Sequence, residues 1–147
     1  MIDDRGLCDQ VHVTAGIIRN GPMILIARRP PGKHLEGFWE FPGGKQEAGE
    51  TLRECLVREI REELDILVKP LALVMTSAYE YPQRRVVLYF FDCMQVSGSP
   101  RPVQGQELRW VKPSELMDLE FPPPDRALVE RLIRNPDVDR SESSMPL

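Results

Sequence analysis

Gly43 to Ile66 reads GGKQEAGETLRECLVREIREELDI and carries the strongest structural signal in the chain. Thr51 with Glu54 three residues on has the spacing of a capping box, and Leu52, Leu56, Ile60 and Leu64 recur every fourth residue, which predicts a helix over Thr51–Leu64. At about 100° per residue, Glu63 projects between Leu52 and Leu56, and Glu59 lies beside Leu52. Both carboxylates therefore fall in or beside the face that such a helix buries, where packing gives no reason for them. Glu59, Glu62 and Glu63 stand at i, i+3 and i+4 and converge on one patch, where like charges repel and desolvation disfavours ionisation. A divalent cation resolves that conflict. With no histidine or thiolate nearby, the oxygen donors suit Mg²⁺, or Mn²⁺, better than Zn²⁺. The competing reading, a solvated charged face paired with Arg58 and Arg61, is weakened by the phase of Glu59 and Glu63. Just upstream, Phe41-Pro42-Gly43-Gly44-Lys45 offers glycines where backbone can approach an anion and a lysine to meet it.

Before this segment, Val11–Arg19 and Met23–Ala27 are apolar runs broken by Asn20-Gly21-Pro22, which predicts an opening hairpin. Arg28 to Gly49 is rich in Gly and Pro and is expected to form a long loop, interrupted only by the apolar patch Phe38–Phe41; loops of that length are often functional. Beyond the helix, Ile66–Val74 and Val86–Cys93 read as strands, the second apolar on both faces as in a central strand. A short strand at Leu108–Val111, a helical turn at Pro113–Met117 and an amphipathic helix over Asp125–Arg134 complete the pattern. The fold class expected is α/β, a mixed sheet between helices. A single domain would span residues 1–134, with 135–147 a flexible tail.

The length of 147 residues fits one domain, and 41% hydrophobic with 29% charged residues suits a globular core. A net charge of -4 lacks the basic excess that long nucleic acid requires. Cys8, Cys55 and Cys93 have no metal-binding spacing and are expected as reduced thiols. Neither a secretory signal nor a bilayer-spanning stretch is visible, so a cytoplasmic protein without membrane contact is expected, as a monomer or weak homodimer.

Taken together, the segment resembles the Nudix hydrolase signature: Gly, five residues, Glu, seven residues, Arg-Glu, an aliphatic, any residue, Glu-Glu, any residue, Gly, an aliphatic. Gly44, Glu50, Arg58, Glu59, Ile60, Glu62, Glu63 and Ile66 match it; Asp65 stands where the family has Gly. Asp tolerates a left-handed helix cap better than most residues, so a small stability cost and intact chemistry are expected. The resemblance implies an α/β/α sandwich and hydrolysis of a nucleoside diphosphate linked to another group. It makes Glu59, Glu62 and Glu63 metal ligands, with a backbone carbonyl of Gly43 or Gly44, while Glu50 supports the site and Arg58 orients the carboxylates. Glu62, or an acid beyond the helix, would take the proton of the attacking water.

Over about residues 11 to 134 the chain looks most like the MutT group, which cleaves nucleoside triphosphates to monophosphate and pyrophosphate. That likeness places Arg29 on the nucleotide, Lys45 on the phosphates, Phe41 on the base through its backbone, and Tyr81 facing the base with Arg84 nearby. Packing is the competing role for Phe41 and Tyr81. Asp125 stands where the MutT type presents a base-reading Asn. An ionised Asp only accepts and favours a donor such as the cytosine amino group or guanine N1–H, and a related cytidine triphosphate pyrophosphatase type carries Asp here. Capping the last helix is its alternative role. Gln104 replaces a distant metal-binding Glu, with Glu107 a candidate substitute, and His34 is a candidate phosphate contact. Oxidised dGTP is the first substrate expected and CTP or 5-methyl-dCTP the second. A nucleotide sugar or dinucleotide hydrolase, or a non-catalytic nucleotide-binding module, are the other readings.

Overall fold

Asn20-Gly21-Pro22 does break the first apolar run: β1 (Asp9–Asn20) turns at Gly21, in left-handed backbone with φ 59°, into β2 (Met23–Arg28). The computed structural model describes residues 9–32 and 36–136. His34 and residues 137–147, most of the expected tail, lie outside the described residues. β3 (Trp39–Glu40), β4 (Gly43–Lys45), α1 (Leu52–Leu64), β5 (Leu67–Tyr81), β6 (Arg84–Ser97), β7 (Glu107–Val111) and α2 (Arg126–Arg134) follow, with short 3₁₀ turns at Pro113–Asp118 and Pro123–Asp125.

The strands make one mixed sheet in the order β3-β2-β1-β6-β5, with β4 also pairing β1 and β7 also pairing β2. β1 runs parallel to β6 from Asp9 opposite Arg84 to Arg19 opposite Met94, while the other pairings are antiparallel. Adjacent residues of β1 feed opposite faces. Ile17 packs with Ile24, Ile26, Leu116, Leu128 and Leu132, whereas Ile18 packs with Leu25 and the α1 residues Leu56, Ile60 and Leu64. The result is an α/β/α sandwich. Leu56, Ile60 and Leu64 are fully buried, so the predicted stripe is what seats α1, each side chain contributing about 1.5–3 kcal/mol.

Two expectations are corrected. The Arg28–Gly49 loop contains β3 and β4: Trp39 pairs with Arg28, and Gly43, Gly44 and Lys45 pair with Ala15, Thr14 and Val13. Strands of two and three residues have no periodicity of their own and exist because their partners are already ordered. β5 and β6 also run past Ile66–Val74 and Val86–Cys93, meeting at a hairpin where Tyr81 faces Arg84. Polar residues such as Thr76 and Glu80 hide that extension in the sequence, because β5 is an edge strand. Pro70 fits there for the same reason, beside an irregularity in the register between Pro70 and Leu73.

α1 begins as expected, with Thr51 accepting from the Glu54 N–H and Glu54 accepting from the Thr51 N–H. It ends on Asp65 in the left-handed region, φ 57° and ψ 40°, with the Asp65 carboxylate accepting from Arg101 at 2.8 Å. The ion pair is exposed and contributes little, so the backbone dominates the balance. Asp65→Gly is expected to raise the unfolding free energy by up to about 1 kcal/mol, and Asp65→Ala to lower it by about 1 kcal/mol. Urea titrations of the three proteins read this directly; an Ala variant as stable as the Gly variant would mean the cap stores no strain.

Candidate active site

The pairing of β4 with β1 brings the glycine turn against α1. A side chain on Gly43 would collide with the backbone at Thr14, and one on Gly44 would occupy the place taken by the Glu59 carboxylate. Glycine is thus required at both positions by close approach. The Gly44 carbonyl accepts from the Thr14 hydroxyl at 3.3 Å and from the Cys55 thiol at 3.5 Å, which ties β1, β4 and α1 together.

Arg58 organises the acids around this contact. Its Nε and one terminal nitrogen grip Glu50 at 2.9 and 2.7 Å, and its other terminal nitrogen donates to Glu59 at 2.9 Å and Glu62 at 3.2 Å. The Lys45 carbonyl accepts a further bond at 3.1 Å. Arg58 and the Glu47 N–H hold the Glu50 carboxyl down at about 2, so it is ionised throughout the physiological range. Glu62 is the more exposed of the two α1 acids that Arg58 reaches.

Glu63 lies on the other side of Glu59. Burial first, then the charges of Glu40 and Glu59, push its carboxyl well above the usual carboxylate range, and it shares a hydrogen bond with Glu59. Among the described residues no three acidic, histidine or cysteine side chains converge as a ready-made cage, because Arg58 occupies the centre of the acids. The donor set still fits a hard dication. Two carboxylates in hydrogen-bond contact, one of them seated in the hollow left by Gly44, are an arrangement stable only with a shared proton or a bound cation.

The segment after β6 closes this end. Arg101 and Val103 donate backbone N–H groups to the carbonyls of Leu64 and Glu63 at 2.9 and 3.2 Å, and the buried Gln106 donates its side-chain amide to the same Glu63 backbone carbonyl at 3.2 Å. Gln106 also accepts from the Gln104 N–H at 2.9 Å. Gln104 is thereby fixed beside a polar cavity of about 460 Å³ that Glu63, Glu40 and Arg29 also line. Glu107 lines neither that cavity nor the larger one; it faces Arg28 and Arg109 at 3.4 and 3.6 Å on the outer strands.

The larger cleft, about 730 Å³, runs over the sheet from Gly43, Gly44 and Lys45 to Tyr81, Arg84 and Asp125. Its floor is apolar, with Val13 and Ala15 of β1 and Val86 and Leu88 of β6. The Phe41 ring is 3% exposed and stacks on Phe121 at 5.3 Å, so its side chain belongs to the core and only its backbone edges the cleft. Tyr81 sits edge-on to Tyr79 at 4.9 Å. Asp125 is 5% exposed and makes no side-chain cap to α2, which sets aside the capping role considered for it. Burial and the charge of Glu40 raise its carboxyl to about 7, against the pull of Arg29. His12, on β1, contacts the Tyr89 hydroxyl at 2.9 Å.

Two residues of these cavities are absent from the motif reading. Glu40 lies between the buried Trp39 and Phe41, pairs with Arg29 at 3.1 Å and lines both cavities. The alternation Trp-Glu-Phe carries a weak trace of it, a polar residue turned away from two core aromatics. Gln106 has no such trace, since only the path of its loop brings it to Glu63.

The NUDIX domain family profile matches residues 14–131. The 8-oxo-dGTP diphosphatase of Escherichia coli (strain K12) is 35% identical over 126 residues, 85% of this chain and 98% of that protein. The CTP pyrophosphohydrolase of the same organism is 35% identical over 120 residues, 82% of this chain and 87% of that protein. Among solved structures, the E. coli ORF135 protein superposes with a TM-score of 0.79 at 31% identity, covering 95% of this chain and 96% of that one. MutT from Aliivibrio salmonicida and Vibrio cholerae gives 0.72 at 32% identity, covering 84% and 96%.

The raised Glu63 carboxyl sets the sign of a pH effect. Without metal, the folded state holds a proton that the unfolded chain, titrating near 4.5, gives up, so the stabilisation is complete below that value and is lost as pH rises towards the folded value. Thermal melts in chelator are therefore expected to fall with rising pH from 5 upward. Glu63→Gln should flatten the fall, and a saturating divalent cation should reverse it in the wild type. A slope identical in Glu63→Gln would assign the effect to another group.

Proposed function

The chain belongs to the Nudix hydrolase family, and from that premise we propose that it hydrolyses a nucleoside 5′-triphosphate to the monophosphate and pyrophosphate, with oxidised dGTP as first substrate. The observation that carries this reading is a cleft whose walls differ: the glycine backbone and Lys45, with the Glu59 carboxylate packed against Gly44, on one side, and Tyr81 and a buried carboxyl on the other. A phosphate chain suits the first side and a base the second. The acids are also costly where they lie, which a module that only binds would not need.

Nudix hydrolases use a divalent metal, here taken to be Mg²⁺ with Mn²⁺ able to replace it. Glu59, Glu62 and Glu63 would hold it, with the Gly43 carbonyl the better backbone ligand because Gly44 already accepts from Thr14 and Cys55. When bound, the metal polarises the phosphate anhydride and acidifies an attacking water. The protein's own groups do the rest. Glu50 fixes the Arg58 fork, and Arg58 sets the angles of Glu59 and Glu62. Lys45 meets phosphate oxygens at the rim, and the apolar floor under the base excludes water. Of the two α1 acids that Arg58 holds, Glu62 has the freer path to a water proton, since it is more exposed than Glu59 and its bond to Arg58 is longer. Gln104, an amide in the smaller cavity, orients groups there and is no base. Free nucleotides are the partners, rather than long nucleic acid, for a cytoplasmic monomer or weak homodimer.

Asp125 favours a second substrate reading. As a neutral acid it both donates and accepts, like an amide, and suits the O6 and N1–H of guanine or its oxidised form. Ionised, it suits the amino group of cytosine, as in CTP or a modified dCTP. Since its carboxyl titrates at about 7, both states are populated near neutrality.

A panel of triphosphates and a nucleotide sugar, with product analysis, tests the reaction: monophosphate plus pyrophosphate from a triphosphate is expected, and no pyrophosphate from any of them would overturn it. Glu59→Gln and Glu63→Gln should each lower kcat/KM by at least about a hundredfold with the fold retained. Glu50→Gln, one step removed, should cost about ten- to a hundredfold. For specificity, the ratio of kcat/KM for 8-oxo-dGTP over CTP should decline as pH rises through about 7 in the wild type and stay level in Asp125→Asn. A ratio independent of pH in both would remove Asp125 from the base end.

A further inference from the structure

Among the described residues Glu40 is the one carboxylate that lines both cavities, sharing the larger with the buried Asp125 and the smaller with Glu63 of α1. Its short strand fixes it there. β3 pairs with β2 so that Glu40 lies opposite Ala27, while Trp39 and Phe41 on either side are locked into the core. Arg29, which enters from the end of β2, takes one Glu40 oxygen at 3.1 Å, and that is the partner recorded for the Glu40 carboxylate among the described residues. Among the described residues the Arg29 Nε is buried with no hydrogen-bond acceptor, and the Asp125 side chain, 5% exposed on the cleft wall, makes no cap to α2.

The chemistry of this wall is selective. A carboxylate held ionised by one arginine repels a phosphate, so no part of a phosphate chain lies over it. It attracts an uncharged hydrogen-bond donor instead. A nucleotide stretched from Lys45 to Asp125 has its uncharged donors on the base and on the sugar, and Asp125 already faces the base. What remains for Glu40, which lines the same cleft as Lys45 and Asp125, is a sugar hydroxyl. Resting on the nucleotide reading above, we propose that Glu40 is a specificity-determining residue that accepts a hydrogen bond from a ribose hydroxyl of the substrate, with Arg29 holding its carboxylate in place. A hydroxyl bonded to a carboxylate is among the stronger neutral-to-charged hydrogen bonds, so its loss should be visible in affinity.

The test is calorimetric binding of nucleoside 5′-monophosphates, the expected products, which reads the nucleoside end without turnover. CMP, dCMP, 3′-deoxy-CMP and 2′,3′-dideoxy-CMP, with the matching guanosine set, separate the 2′ from the 3′ hydroxyl. In the wild type the dideoxy forms should bind about tenfold or more weaker than the best hydroxylated form. In Glu40→Gln and Glu40→Ala that ratio should shrink below about threefold, chiefly through weaker binding of the hydroxylated forms, with circular dichroism and melting confirming the fold. Dideoxy forms that bind the wild type as tightly as the hydroxylated ones, or a ratio unchanged in both variants, would overturn the proposal while leaving the hydrolase reading intact. Monophosphates that do not bind at all would overturn the proposal, while the hydrolase reading stands or falls separately on the release of pyrophosphate. If Glu40→Ala fails to fold, the isosteric Gln variant decides alone.

Discussion

The contact on which the site depends is the approach of α1 to a turn that has no side chains. Glu59 fills the hollow at Gly44, and this is possible only because β4 lies flat on β1 at Thr14 and Ala15. One steric fact therefore sets the position of an acid, the register of a three-residue strand and the start of the cleft. Arg58 adds the orientation. Its guanidinium spans Glu50 on the loop and Glu59 and Glu62 on the helix, so loop and helix move as one body.

Around that contact the acids divide by environment. Glu50, paired by a fork of two short bonds, is a permanent anion; Glu63 and Asp125, buried without a matching cation, resist ionisation. The net charge of -4 is thus a poor guide to the ligand. On the proposed function, the acids of α1 would hold a cation that reverses the local sign, so that phosphate could bind there although the chain as a whole is anionic. Glu40 is also pushed up by burial, against the pull of Arg29, and lies within electrostatic reach of both Glu63 and Asp125.

Local rules made much of this legible. The capping box at Thr51 and the fourfold leucine and isoleucine spacing stated both ends and the buried face of α1, and the phase of Glu59 and Glu63 on that face marked them as acids out of place. Asp65 in the left-handed cap was readable from its chemistry. β3 and β4 were not, because strands this short are held by partners distant in the chain. The outer halves of β5 and β6 were hidden by an edge strand's freedom to carry polar residues.

What the sequence by itself determined was the helix, its acids, the glycine turn before it and a sheet with helices on both sides, since each rests on periodicity or on residues a few positions apart. Which acids meet was decided only by the tertiary structure. Glu40 reaches Arg29, Glu63 and Asp125 through the crossing of β2, β3, α1 and the turn before α2, and Gln106 reaches Glu63 through the path of a loop. Side chains this far apart in the chain share no period and no spacing rule, so their electrostatic coupling comes into existence only when the sheet closes around them.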